Sequence, residues 1–324
     1  MLNERENFLR ALSGEIPEYV PQYSILWGAR PSIFMGSRVM GVGKDIFGVE
    51  WVSEGSAIKA ALPKPGSFLL DDIRKWRDVI HFPDFSGVDW ESMARKDLAN
   101  YDPDLPRSGG TAVQGFFQAI MDFMGFTEGL IACVEEPEEV KALVNYLCDS
   151  YLSLADPFLQ YYKPDFIMYA DDIAAERNPF VSLDTFHDIF EPVWRRYITY
   201  FKDRGYLAVH HNCGHFEQFV DDIVDMGYNA WDPAQIASND LVGIKKKHGG
   251  KLMLMGCLDP LPLLPQHNPT EAQCRAAMKE TMDTFAPGGG FAFLPDLLDA
   301  HPFTPEVIAW VKDEYEKQKF NYYK

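Results

Sequence analysis

Phe166-Ile167-Met168-Tyr169-Ala170-Asp171-Asp172 and Leu207-Ala208-Val209-His210-His211-Asn212-Cys213-Gly214 decide the fold. Each begins as a short apolar run of strand length, and a helical pattern over 183–203 lies between them. Two strands joined by a helix of that size pair in parallel through a crossover. The same rhythm extends outward in both directions. Further strands are expected at 111–115, 228–231, 252–256 and 290–293, and further helices at 138–154, 215–226 and 270–285. Alternation of this kind gives an α/β fold with a parallel sheet, and the strand count favours a TIM (β/α)₈ barrel over an open sheet.

Upstream, the pattern is different. Residues 6–12 read as a helix with Phe8, Leu9 and Leu12 on one face, stopped at Ser13-Gly14. Tyr23 to Trp27 reads as a first strand. The stretch from 28 to about 110 is irregular and rich in Pro, Gly and Asp. We read it as a cap, with a hairpin near 47–51 and a helix near 71–76. All of 1–324 is expected to form one barrel domain with this N-terminal extension.

The formal net charge of −18 argues against a nucleic-acid binder, which needs a basic footprint. No apolar run approaches the roughly 20 residues that span a bilayer. The first residues are charged and lack the apolar stretch of a secretory signal, so the expected compartment is the cytoplasm. Five cysteines at irregular spacing are not a disulfide framework. No Gly-x-Gly-x-x-Gly follows the first strand and no phosphate-binding loop motif occurs, so a nucleotide site has no support.

In a parallel barrel the chemistry sits at the C-terminal ends of the strands. Those ends carry Asp171, Asp172 and Glu176; His211, Cys213 and His215; Trp231 and Asp232; Cys257 and Asp259; and Asp296. Residues i and i+2 of a strand share a face, so His211 and Cys213 project together. Imidazole and thiolate are both zinc ligands, and a catalytic zinc keeps a fourth position open. Cys257 is the expected third ligand, with Asp172 and Glu176 as carboxylate ligands or supporting groups. A cysteine nucleophile with His211 or His215 as base is the rival reading, and redox chemistry between Cys213 and Cys257 a weaker one. His210 is expected to point away, toward the helices. Asp232 and Asp259, each before a proline, read equally well as turn formers. Phe116, Tyr169, Trp231 and Phe293 are expected to line a substrate pocket.

Several segments, in order from residue 4 to the C-terminus, resemble the uroporphyrinogen-decarboxylase-like superfamily. They are Arg5-Glu6-Asn7-Phe8-Leu9-Arg10-Ala11-Leu12 with Pro17 and Val20-Pro21, Asp45-Ile46-Phe47-Gly48-Val49-Glu50-Trp51, His211-Asn212-Cys213-Gly214, and Gly256-Cys257-Leu258-Asp259-Pro260. The resemblance implies one TIM barrel. The decarboxylases of that superfamily carry an arginine-rich N-terminal segment for substrate carboxylates; here only Arg30 stands in that region. Another branch holds zinc-dependent methyltransferases that work with corrinoid proteins, and its His-x-Cys matches His211 and Cys213. The coenzyme M enzymes of that branch have a late cysteine ligand where this chain has Pro287-Gly288-Gly289-Gly290. The resemblance is therefore nearest to the methyltransferase component of anaerobic O-demethylases. It implies bound Zn²⁺, a methyl ether as methyl donor, and a corrinoid (cobalamin) on a partner protein. Asp171 or Asp172 then orients a ligand or protonates the leaving oxygen, and Asp172, Glu176 and Glu191 become alternatives to Cys257. A methylcobamide:thiol methyltransferase and a metal-free decarboxylase are the alternative activities, and a carrier-docking or sensing barrel is the non-enzymic one. The family's decarboxylases suggest a homodimer.

Overall fold

A computed structural model describes residues 1–38, 41–53 and 61–323. Its centre is a parallel sheet of six strands in chain order: Ser108–Gly109, Phe166–Ala170, Leu207–His211, Ala230–Ala234, Met253–Gly256 and Phe291–Ala292. The two edges are joined through one segment near the N-terminus. Gln22 bridges to Phe293 and Ala29 bridges to Gly109, both in the parallel sense. The ring therefore closes, and the fold is a TIM barrel.

The sequence pattern placed the strands at Phe166–Ala170 and Leu207–His211 without error. Two other expectations are corrected. Residues 111–115 are a loop, and the strand lies earlier at Ser108–Gly109. The Thr111 and Ala112 amides donate to the Tyr197 hydroxyl instead of a ladder partner. Ile25–Trp27 is a 3₁₀ turn, capped by the Ser24 hydroxyl, and not a strand.

Strand alternation divides the core into two shells. Phe166, Val209, Ala230, Met253, Met255 and Ala292 face the barrel axis. Tyr169, Trp231, Leu254 and Phe291 face the surrounding helices. The N-terminal helix Glu4–Leu12 is fixed by a capping box between Asn3 and Glu6. Its Phe8, Ala11 and Leu12 pack into the axial shell against Phe166, at the start of a strand. That helix plugs the N-terminal end of the barrel and leaves the opposite mouth open.

The cap contains an antiparallel sheet of Gly43–Lys44, Glu50–Ser53 and Ala61–Pro63, in agreement with the expected hairpin. Asp45 holds its turn: it accepts from the Phe47 and Val49 amides and from Trp51 Nε1. This explains the spacing of the Asp45-x-Phe-Gly-x-x-Trp segment. No single helix among the described residues is long and apolar enough to cross a membrane.

Candidate metal centre

Register brings the chemistry together. Ala170 pairs with His211, and His211 pairs with Asp232, so these three side chains lie in one row facing the barrel interior. The row next to it, Tyr169, His210 and Trp231, faces the helices. Just beyond the second strand, Asp172 continues the inward alternation and Asp171 the outward one.

Asp172, His211 and Cys213 each offer a ligand atom, and the three atoms lie within 4.8 Å of one another. Cys213 Sγ is 3.9 Å from His211 Nε2. Asp172 Oδ1 accepts the Cys213 backbone N–H at 2.7 Å, which ties two candidate ligands to each other directly. The other ring nitrogen, His211 Nδ1, is 3.3 Å from Asp232 Oδ1. Burial opposes a charge on this ring, yet Asp232 and Cys213 together hold its pKa well above the ordinary histidine range. A carboxylate behind one imidazole nitrogen leaves the other aimed at the thiol side, the arrangement in which histidine binds metals.

The loops that carry these groups are stitched to each other. Asn212 Oδ1 accepts from the Ile173 amide, and the His215 amide donates to the Ala175 carbonyl. Gly214 has φ 82°, and a Cβ there would lie 2.4 Å from the Ala175 oxygen, so only glycine lets the two loops approach this closely. Its amide donates to Gln235 Oε1 at 2.6 Å.

Two cavities open beside Cys213. One, of about 420 Å³, is walled by Leu258, Pro260, Leu261 and Leu264, with Glu176 at its side. The other, of about 300 Å³, is lined by His211, Asp232, Leu294 and Asp296. Cys213, Gln235, Leu297 and His301 belong to both.

Of the ligands expected from sequence, His211 and Cys213 come together. Cys257 does not join them. Gly256 and Cys257 both have positive φ, 113° and 62°, and this turn sends the thiol outward to a separate cavity with Val242 and Phe285. There it is fully buried, and burial pushes its pKa far above the thiol range. Glu191 starts a helix and pairs with Arg195 at 2.6 Å, outside the group. Glu176 is exposed and borders only the larger cavity.

Asp171 is likewise corrected as a catalytic candidate. It is completely buried and accepts four hydrogen bonds, from the Phe117 and Gln118 amides, Tyr169 Oη and Trp194 Nε1. Burial pushes its pKa up to about 6 against those donors. Its role is to anchor the start of helix Phe116–Met124. Gly115 makes room for it: a Cβ there would sit 2.3 Å from Asp171 Oδ1.

The four aromatic side chains expected in a substrate pocket are core residues. Phe116 stacks on Tyr151, Tyr169 donates to Asp171, Trp231 donates to the Asn212 carbonyl, and Phe293 packs on Tyr315. None of them lines either cavity. The outward parity of Tyr169 and Trp231 decides this for those two. His210 points to the helices as expected, among Trp194, Phe216 and Tyr228.

The fold decides one open reading and adds two groups that the sequence pattern does not point to. Asp232 is an inward strand residue and not a turn former. Gln235 braces the Gly214 loop, and His301 borders both cavities. Asp232 is signalled by its place at a strand end, whereas Gln235 and His301 carry no such signal.

The donor set of one imidazole, one thiol and one carboxylate fits zinc, with space on the cavity side for a further ligand. Comparison with known proteins agrees with the fold. The profile of the uroporphyrinogen decarboxylase (URO-D) family matches residues 111–297. The chain is similar to the solved structure of a methyltransferase from Methanosarcina mazei, with a TM-score of 0.65 and 14% sequence identity. That similarity covers 98% of this chain and 99% of the other. No curated protein matches the sequence.

Proposed function

This chain belongs to the uroporphyrinogen decarboxylase (URO-D) family, and from that premise we propose that it is a zinc-dependent methyltransferase rather than a decarboxylase. The methyl donor is a small methyl ether, in the first instance a methoxylated aromatic. The acceptor is the cobalt(I) of a corrinoid carried by a separate protein. The observation that carries this reading is the Asp172, His211 and Cys213 group beside two cavities. The fold-level similarity to a methyltransferase is in keeping with it.

Asp172, His211 and Cys213 hold the metal in this reading. Bound zinc supplies Lewis acidity toward the ether oxygen. Asp232 fixes the ring orientation of His211 and favours binding through Nε2. Asp172 holds the Cys213 backbone, which limits how far the thiolate can move. The aliphatic wall of the larger cavity excludes water and receives the body of the donor. A site for several substrate carboxylates calls for bidentate arginines, and among the described residues no Arg or Lys lines either cavity. The proposal further carries a cytoplasmic location and a homodimer as the assembly.

The first experiment is metal content by mass spectrometry, on wild type and on Asp172→Ala, Cys213→Ala and Cys257→Ala. The expected result is one zinc per chain, lost with Asp172 or Cys213 and kept without Cys257. Turnover of methoxylated aromatics with a cobalt(I) corrinoid then tests the activity. A zinc-reconstituted protein that stays metal-free, or a fully active Cys213→Ala variant, sinks the reading. Cys213, His211 and Asp232 in line would then point to cysteine nucleophile chemistry.

A further inference from the structure

The four residues common to the two cavities form the waist between two lobes of one cleft. Cys213 is a ligand candidate, Gln235 is engaged by the Gly214 amide, and Leu297 is apolar. His301 is the remaining member. It follows helix Asp296–Ala300 directly, and its ring lies against Phe303 with centroids 5.4 Å apart. Among the described residues nothing hydrogen-bonds to the ring or stands close enough to charge it. Only burial acts on it, moving its pKa below the ordinary histidine value.

The carboxylates around the cleft are engaged or stand at its edge. Asp296 accepts from the Ser24 hydroxyl and the Ile25 amide. Asp232 faces His211, and Asp172 holds the Cys213 amide. Glu176 is exposed at the side of one lobe only. An imidazole with no hydrogen-bond partner among the described residues, on the wall that both cavities share with Cys213, is placed to exchange a proton with whatever occupies them.

We propose that His301 protonates the leaving oxygen of the methyl donor. This rests on the methyltransferase reading above. The methyl–oxygen bond breaks and its electron pair stays on oxygen, while the cobalt(I) nucleophile of the partner takes the methyl group. The oxygen takes the proton of the His301 imidazolium, and the neutral ring regains a proton from water. His211, Cys213, Asp232, Asp296 and Glu176 are the other titratable groups lining the two cavities, with Asp172 behind Cys213; His211 is committed to Asp232 and the ligand group. A methoxylated phenol leaves as a basic oxygen and needs the proton, whereas 4-nitrophenyl methyl ether gives a stable phenolate and does not.

The test compares these two donors with the zinc-loaded full-length protein and His301→Gln, which keeps hydrogen-bonding capacity but cannot titrate. For the methoxylated phenol, kcat is expected to fall about 100-fold or more, and the rise in wild-type kcat/KM toward acid pH disappears. For the nitrophenyl ether the loss stays within roughly fivefold, small against general acid catalysis. Zinc content and thermal midpoint stay at wild-type values, and His301→Asn behaves the same way. An equal loss with both donors, or an unchanged pH profile, overturns the proposal. Loss of zinc in His301→Gln overturns it as well and makes His301 a ligand. A wild type that holds zinc but demethylates neither ether defeats the methyltransferase reading itself, and this proposal with it.

Discussion

Asp232 Oδ1 stands 3.3 Å from His211 Nδ1, where neighbouring strands put a buried carboxylate and an imidazole side by side. Removing a carboxylate that orients a histidine ligand weakens metal binding by about 10–100-fold in known sites. Asp232→Ala is expected to lower zinc affinity by that factor, measured by competition with a chromophoric chelator. Asp232→Asn should fall between the two, because the amide can still accept from Nδ1–H. Unchanged affinity in Asp232→Ala would mean that His211 binds no metal through Nε2.

Asp172 and Cys257 give opposite expectations. Asp172→Ala removes a candidate ligand atom and the acceptor of the Cys213 amide, so on the zinc reading bound metal should drop well below one per chain. Cys257→Ala should keep its zinc and lose roughly 1–2 kcal/mol of stability through a small buried void. Urea unfolding together with metal analysis separates the two effects.

Asp171 is a structural acceptor, so its loss should appear in stability before activity. Asp171→Ala strands two amides, a tyrosine hydroxyl and an indole N–H in the interior. Unsatisfied buried groups of this kind cost about 1–3 kcal/mol each, and partial relaxation should leave a net loss of roughly 3–5 kcal/mol. Denaturant unfolding followed by tryptophan fluorescence measures it. A loss under about 1 kcal/mol would show that the donors find other acceptors.

Asp122 predicts a pH effect. It lies in the apolar helix Phe116–Met124 with Oδ2 unpartnered among the described residues, and burial, helped by Asp45, raises its pKa well above the usual carboxylate value. A raised carboxyl pKa favours the folded state most below the unfolded value of 3.8, and that advantage is lost as pH rises toward the folded pKa. Asp122→Asn should therefore stabilise the protein at pH 8 by roughly 1–3 kcal/mol, with the gain fading below about pH 4. A gain that does not change with pH would contradict this account.

The two strands that frame the site were legible because each is a continuous apolar run closed by polar residues. His211 and Cys213 were legible for the same reason, since their spacing follows from strand period. The first strands were not. Ser108–Gly109 has no apolar signature, and the apolar stretch after it is held open by Tyr197. Residue type alone does not place Cys257: two successive positive φ values reverse its side chain. Aromatic character does not place a side chain at the mouth: strand parity sends Tyr169 and Trp231 outward. Asp232 and His301 depend on which segments become neighbours, and periodicity does not reach that far.

Asp171 and Asp172 are adjacent in the chain and belong to different halves of the molecule. One is locked into the helix layer, the other turned toward the cleft. A single inserted or deleted residue between Tyr169 and Asp172 would exchange their directions, leaving the helix start without its anchor and the ligand group without its carboxylate. Loop shortening or peptide insertion in engineered variants should therefore be kept off these four positions and directed to the cap.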